Sequence, residues 1–497
     1  MLRIVIATRA DPPLPIARLR AGGQLSEIRQ ADLRFTMTEA AAFLRGAAGV
    51  DLSDDQVAAL TERTEGWVAG LQMAGVSLRQ REDVDSFVDT FAGSHRYVMD
   101  YLVEEVLQRQ SADVQTFLLQ TAILDRLSAP LCDALLLEPP SAGSQSILED
   151  LEQTNLFITP LDDHRIWYRY HRLFADLLRR QLSQRHPDAI LELHARASHW
   201  YEAHGLLLDS IDHALNAEDF ERSALLIERV IEPLTKRSEL MTLRNWLGAL
   251  PEEVLYRRPQ LCAYHAWLLL LAGEPVRKVE SRIAALREQV GSESGYLKAV
   301  QALVSISQGR VDGIDELTDQ ALQTLTEEDG FWYSVAGWLQ DLFRMSNGDL
   351  DDEDGEPLRR TVSSYFDGQN VLLGVIGLCN LGELRVKQGR LREAEKTFRR
   401  ALDRAQSAAG QRLPIAGEPL MWLGDLARER NELSAAERYL TDGLELVRQW
   451  GPVAAIEGYT ALARLRQAQG DRTGADEALD EAARLAVRFD ATEMDDY

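Results

Sequence analysis

At 497 residues, with 45% apolar and 27% charged side chains, the chain is long enough for about three domains and a large core. Its formal net charge of −25 argues against general binding of nucleic acid or anionic membrane by the chain as a whole. Cys132, Cys262 and Cys379 form no CxxC pair, Ala266–Ala272 is the longest apolar run and too short to span a bilayer, and no signal-peptide pattern opens the chain. A reducing, cytoplasmic setting without disulfides or membrane contact is therefore expected.

In chain order, Leu2, Ile4, Val5 and Ile6 make a short β-branched run with the pattern of a central parallel strand buried on both faces. It breaks at Asp11-Pro12-Pro13-Leu14-Pro15. No βαβ alternation comes after it, so the strand reads as part of a sheet whose other strands lie outside this sequence. Residues 36–183 then read as helical. Thr36-x-x-Glu39 and Ser53-x-x-Gln56 fit capping boxes, Ser111 fits an N-cap, and Pro130 suits a first helical turn. The run Leu156–Leu161, the polar turn Asp162–Arg165 and the run Ile166–Tyr170 predict a β-hairpin. A helix with Leu173, Phe174, Leu177 and Leu178 comes next, so residues 95–185 are expected to form a winged-helix unit.

From residue 190 the pattern is helix pairs. A helix-to-helix turn recurs at Gly309, Gly348, Gly389, Asn431 and Gly470, with spacings of 39, 41, 42 and 39 residues. Gly or Asn supplies the positive φ that closes a helix. Gly273 and Asn216-Ala217-Glu218-Asp219-Phe220 read as earlier, irregular members. Small residues (Ala394, Ala401, Ala436, Gly443, Ala475, Ala478) and large ones (Phe398, Tyr439, Leu444) alternate as close helix packing requires. The expected form over 190–490 is a right-handed TPR-like α-superhelix, a fold that binds peptides, proteins or small effectors.

Catalytic and metal patterns fail one by one. There is no Gly-Lys pair, hence no GxxxxGK[ST] phosphate loop. His194, His199 and His204 are spaced by five, about 140° apart on a helix, and cannot share a face as metal ligands. The acidic run Asp349–Glu356 misses the EF-hand register, and Gly291-Ser292-Glu293-Ser294-Gly295 misplaces serine for a nucleophile elbow. No enzyme activity, metal or cofactor is expected. Trp332, Tyr333 and Trp338 form the densest aromatic cluster of the repeats and line either an effector site or an interhelix core. Arg165, Arg169, Arg172, Arg179 and Arg180 gather around the hairpin and its closing helix; the overall acidity favours docking on a partner domain over DNA.

Four collinear motifs then carry a resemblance over about residues 1–230. They are Ile4–Arg20 (IVIATRADPPLPIARLR), Asp32-Leu33-Arg34-Phe35-Thr36 with Thr64–Gln72 (TEGWVAGLQ), Phe91–Tyr97 (FAGSHRY) and Tyr170–Leu178 (YHRLFADLL). They are similar to those of the MalT-like large ATP-dependent LuxR-type transcription regulators, of the signal-transduction ATPase family. The resemblance implies an ATPase with winged helix, a superhelical inducer-binding domain and a carboxy-terminal helix-turn-helix, switched by inducer and ATP from an ADP-bound resting monomer. It implies that Arg9 senses the nucleotide's terminal phosphate and that His171 contacts ADP, while capping or packing remains the alternative for His171. In this frame residues 1–35 are the remnant of an α/β nucleotide-binding core, 36–94 a helical domain, 95–185 the winged helix and 190–490 the effector-binding repeats, a mainly α fold.

The Walker strands would precede Met1 and the recognition helix would come after Tyr497. Without them, neither ATP hydrolysis nor DNA binding is expected of this polypeptide, as for a truncated or split gene product. The expected function is the switch and effector-sensing portion of such a regulator, holding a small-molecule inducer or protein partner in the superhelix groove and able to self-associate. The alternative is a free-standing TPR-like interaction scaffold without nucleotide or DNA binding.

Overall fold

The computed structural model describes residues 4–8, 12, 14–48, 52–78, 84–91, 101–138, 140–274, 276–307, 310, 312–326, 329–346, 370–406, 410–448 and 452–488. Contacts divide the chain into two compact units, Met1–Asp219 and Phe220–Tyr497. Among the described residues the sheet content is a single antiparallel pair, and the fold is mainly α.

The expected opening strand does not form. Residues 4–8 adopt no regular structure, and Ile4, Val5 and Ile6 are 71%, 95% and 52% exposed. A strand exists only through hydrogen bonds to a neighbour, and no strand among the described residues lies beside it.

In the first unit the helices Met37–Ala48, Asp54–Thr64 and Val68–Leu78 pack on one another. Both capping boxes are made: Glu39 Oε2 accepts from the Thr36 backbone N–H at 2.9 Å, and Gln56 Oε1 from that of Ser53 at 2.8 Å. One continuous core, from Ala40 to Tyr201, joins these three helices to the winged unit and to the helix Ala189–Ala203.

The helices Ala112–Thr121, Ala129–Leu135 and Ser144–Gln153 precede the hairpin Ile158–Pro160/Tyr168–Tyr170, which pairs Ile158 with Tyr170 and Pro160 with Tyr168. The helix Arg172–Arg185 closes this winged unit. Leu127 adds a further bridge, exchanging backbone hydrogen bonds of 2.7 and 2.8 Å with Tyr168. Asp162 holds the tip of the wing, its carboxylate accepting from the backbone N–H groups of Ile166 and Trp167 at 3.2 and 2.8 Å. The strands are shorter than the sequence pattern implies: Phe157, whose carbonyl still accepts from the His171 backbone N–H at 2.7 Å, takes a φ of +54° and is not extended. A bulky side chain adopts that conformation only under tertiary constraint. Here the Phe157 ring is packed among Trp67, His171 and Phe174.

The helix Ala189–Ala203 shares this first core through Leu193, Ala197 and Tyr201, and the helix Leu207–Asn216 packs on it. Arg196 donates to the Leu136 carbonyl at 2.7 Å, and Arg126 bridges Asp209 at 3.0 Å. The positive φ that ends this pair falls on Glu218, at +56°, rather than on Asn216, which is still helical.

The second unit is built of antiparallel helix pairs: Val371–Lys387 on Leu391–Arg404, Gly417–Glu429 on Leu433–Val447, and Pro452–Gln469 on Arg472–Arg488. The turns at Gly273, Gly389, Asn431 and Gly470 have φ of +69°, +74°, +61° and +83°. The turns at Gly309 and Gly348, and the acidic run Asp349–Glu356, lie outside the described residues. Small residues sit where helices touch: Ala394, Ala401 and Ala436 are fully buried, and a side chain on Gly382 would run into the Phe398 ring.

Candidate functional site

The helix Asp54–Thr64 ends on Glu65 in the left-handed region, with a φ of +49°. That turn aims the Glu65 carboxylate at the hairpin. Arg169, on the second strand, donates to both carboxylate oxygens at 2.7 and 2.8 Å, a bidentate pair. The backbone N–H of Arg172 adds a third bond at 3.1 Å, and Arg34 lies at 3.4 Å. Burial pushes the Glu65 carboxyl upward, but the Arg169 hydrogen bonds and the neighbouring positive charge overcome it and hold the group at about 2.

His171 stands between hairpin and closing helix, 2% exposed. Its Nε2 is 3.0 Å from the Thr64 carbonyl oxygen, which only accepts, so Nε2–H donates and the proton sits there. Nδ1 is buried without a partner. Burial lowers the His171 pKa, with the Glu65 charge opposing it. The ring meets Trp67 and Phe157 edge-on, with centroids 5.9 and 5.7 Å away.

The sequence Thr64-Glu65-Gly66-Trp67 therefore serves as one joint. Thr64 supplies the carbonyl, Glu65 the charge and Trp67 the aromatic wall. Gly66, with a φ of +69°, lets the backbone approach Phe35, whose N–H donates to the Gly66 carbonyl at 2.9 Å. A Cβ at Gly66 would come within 2.6 Å of the Phe35 carbonyl oxygen. Four of the five arginines around the hairpin pair with this unit's own carboxylates. Arg165 pairs with Glu152, Arg169 with Glu65, Arg172 with Glu62 and Arg179 with Asp125. Arg9 lies outside the described residues.

A second constellation escaped sequence reasoning. His194 and His213 face each other with Nδ1 atoms 2.8 Å apart, and His213 stacks on Tyr201. Burial lowers both to about 4, so the rings are neutral at pH 7, one donating to the other. Histidine spacing along one helix carries no signal for this pair, because His213 comes from the next helix. Among the described residues no group of three His, Cys, Asp or Glu side chains is placed to hold a metal, and no helix is long and apolar enough to cross a membrane.

The three aromatics of the repeats do not share a surface. Trp332 is fully buried against Tyr264 and Phe331, at centroid distances of 5.3 and 5.5 Å. Tyr333, one residue on, is 37% exposed, and Trp338 is partly buried. The indole N–H groups of Trp332 and Trp338 have no hydrogen-bond partner.

Residues 103–190 match the MalT winged helix domain and residues 295–496 the MalT-like TPR region. The chain is similar to the serine/threonine-protein kinase PknK of Mycobacterium tuberculosis, with 27% identity over 501 residues, 98% of this chain and 44% of the kinase. It is similar to the HTH-type transcriptional regulator MalT of Yersinia enterocolitica, with 28% identity over 485 residues, 95% of this chain and 53% of the regulator. The chain thus spans about half the length of the curated relatives it matches. A STAND protein with a tetratricopeptide repeat sensor from Pyrococcus horikoshii aligns at 15% identity and a TM-score of 0.33, covering 92% of this chain and 60% of that one, a likeness too slight to argue from. A MalT winged helix domain followed by a MalT-like TPR region on one polypeptide makes the chain similar to the MalT-like regulators over these two regions.

Proposed function

We propose that this chain is the switch and effector-sensing region of a MalT-like transcription regulator, taking a small-molecule inducer or a protein partner on its helical repeats. One observation carries the reading: the MalT winged helix and the MalT-like repeat region occur in order on the same chain. The relatives support an input role. The same stretch is similar to a protein named a kinase and to one named a transcriptional regulator, two different outputs. In this reading Arg9 and His171 face the nucleotide of the ATP-dependent regulator, and the Glu65–Arg169–His171 joint ties nucleotide state to the winged helix. Of the aromatics Trp332, Tyr333 and Trp338, Tyr333 is the one whose ring is open to an effector, at 37% exposed.

The test is a thermal-shift screen of the purified chain against sugars, nucleotides and amino acids, followed by hydrogen exchange with any compound that binds. The expected hit raises Tm by several degrees, as saturating ligand does, and protects amides within residues 276–346. Y333A weakens it by about tenfold, the scale of a lost aromatic contact. Protection confined to residues 1–219 overturns the assignment of the repeats as the sensor.

A further inference from the structure

The helix Leu391–Arg404 places Arg392, Lys396 and Arg399 four and three residues apart, on one face. Together with Leu391 and Glu395 of the same helix and Arg430 at the end of Gly417–Glu429, they line a cavity of about 600 Å³. The lining holds four cations and one carboxylate, in a chain whose net charge is −25. Such local reversal concentrates anions where the rest of the surface repels them.

Glu395 shows what the cavity grips. Arg399 donates to its Oε1 at 3.1 and 2.8 Å, and an Arg430 nitrogen lies 2.6 Å from Oε2. The Arg399 hydrogen bonds, then those of Arg430, hold this carboxyl below its ordinary range. Arg392 and Lys396 have no ion-pair partner among the described residues. Leu391, 38% exposed, adds an apolar edge. The volume lies within the range of small-ligand pockets.

We propose that this cavity binds a small, multiply charged oxyanion, a phosphate- or carboxylate-bearing metabolite. Arg399 and Arg430 hold one anionic group in place of, or beside, Glu395. Arg392 and Lys396 hold a second, and Leu391 covers the carbon skeleton. The planar guanidinium suits both phosphate and carboxylate, whose oxygens it meets in pairs. The site is separate from Tyr333 and stands whether or not that ring meets an effector.

The test is isothermal titration of the whole chain with pyrophosphate, inorganic phosphate and citrate, at ionic strength held constant with sodium chloride. Saturable one-to-one binding is expected, with pyrophosphate and citrate distinguishing a phosphate from a carboxylate ligand. The double charge reversal R392E/K396E is expected to weaken it by at least about tenfold, as loss of paired charges does. Its circular dichroism in sodium chloride should match the wild type. E395Q, which releases Arg399 and Arg430, is expected to tighten binding about threefold and keeps the test decisive if the double variant does not fold. The proposal is overturned if no probe gives saturable heat or if R392E/K396E folds and binds as the wild type does. Weakened binding in E395Q overturns it too, as does binding of polyglutamate with none of the small anions.

Discussion

Glu65 illustrates how one side chain joins two parts of the first unit. It lies beyond the last turn of Asp54–Thr64 and binds Arg169 and the Arg172 backbone, more than a hundred residues away in sequence. E65Q keeps the size but removes the charge that the Arg169 guanidinium faces, and is expected to cost about 2–3 kcal/mol in urea unfolding at pH 7. The pH dependence has a definite sign. The folded pKa of about 2 lies below the ordinary 4.5, so the contribution is complete above about pH 4.5 and vanishes as pH falls through 2. The gap between wild type and E65Q should close over that window. Glu418, partly buried in the repeats, has the opposite sign. Burial, reinforced by Glu457 and Glu383, pushes it up to about 8. The protonated folded form is favoured, so the stability it supports is present below about pH 4.5 and is lost as pH rises through 8. E418Q, which mimics the protonated acid, is expected to raise Tm at pH 8 by a few degrees and to have little effect at pH 4.

At the scale of elements, the joint depends on a backbone approach that only glycine permits. G66A places a Cβ 2.6 Å from the Phe35 carbonyl oxygen at a φ of +69°. It should destabilise the first unit by about 2–4 kcal/mol in thermal unfolding, the range for overpacking combined with a strained φ. Gly205 also has a positive φ, but nothing lies within 4 Å of its notional Cβ. G205A should cost only the conformational part, about 1 kcal/mol. If the two variants unfold alike, the Phe35–Gly66 contact is not what requires glycine. The hairpin obeys the same logic, since its register rests on the Asp162 tip and on burial of Phe157, Tyr168 and Tyr170.

At the scale of the molecule, the chain consists of two compact units meeting in sequence at Asp219–Phe220. Each has its own buried residues, so residues 220–497 expressed alone are expected to retain helical circular dichroism and a cooperative thermal transition. Loss of that transition would show that the repeats depend on the first unit. The winged-helix match lies in the first unit and the TPR match in the second.

Local chemistry alone determined much of this protein. The capping boxes at Thr36 and Ser53, the wing around Asp162 and the repeat turns at Gly389, Asn431 and Gly470 are decided within a few residues of chain, by side-chain hydrogen bonds and by which residues tolerate positive φ. The MalT-like motifs were legible as words, but not the reason for them. Only the tertiary structure assigned Glu65 to Arg169, His171 to the Thr64 carbonyl and His194 to His213, because each partner comes from another element. It also decided that Ile4–Thr8 is no strand and that Trp332 is core while Tyr333 is surface. A strand needs a neighbour's hydrogen bonds, and burial depends on which helices pack against a face; neither is a property of the segment itself.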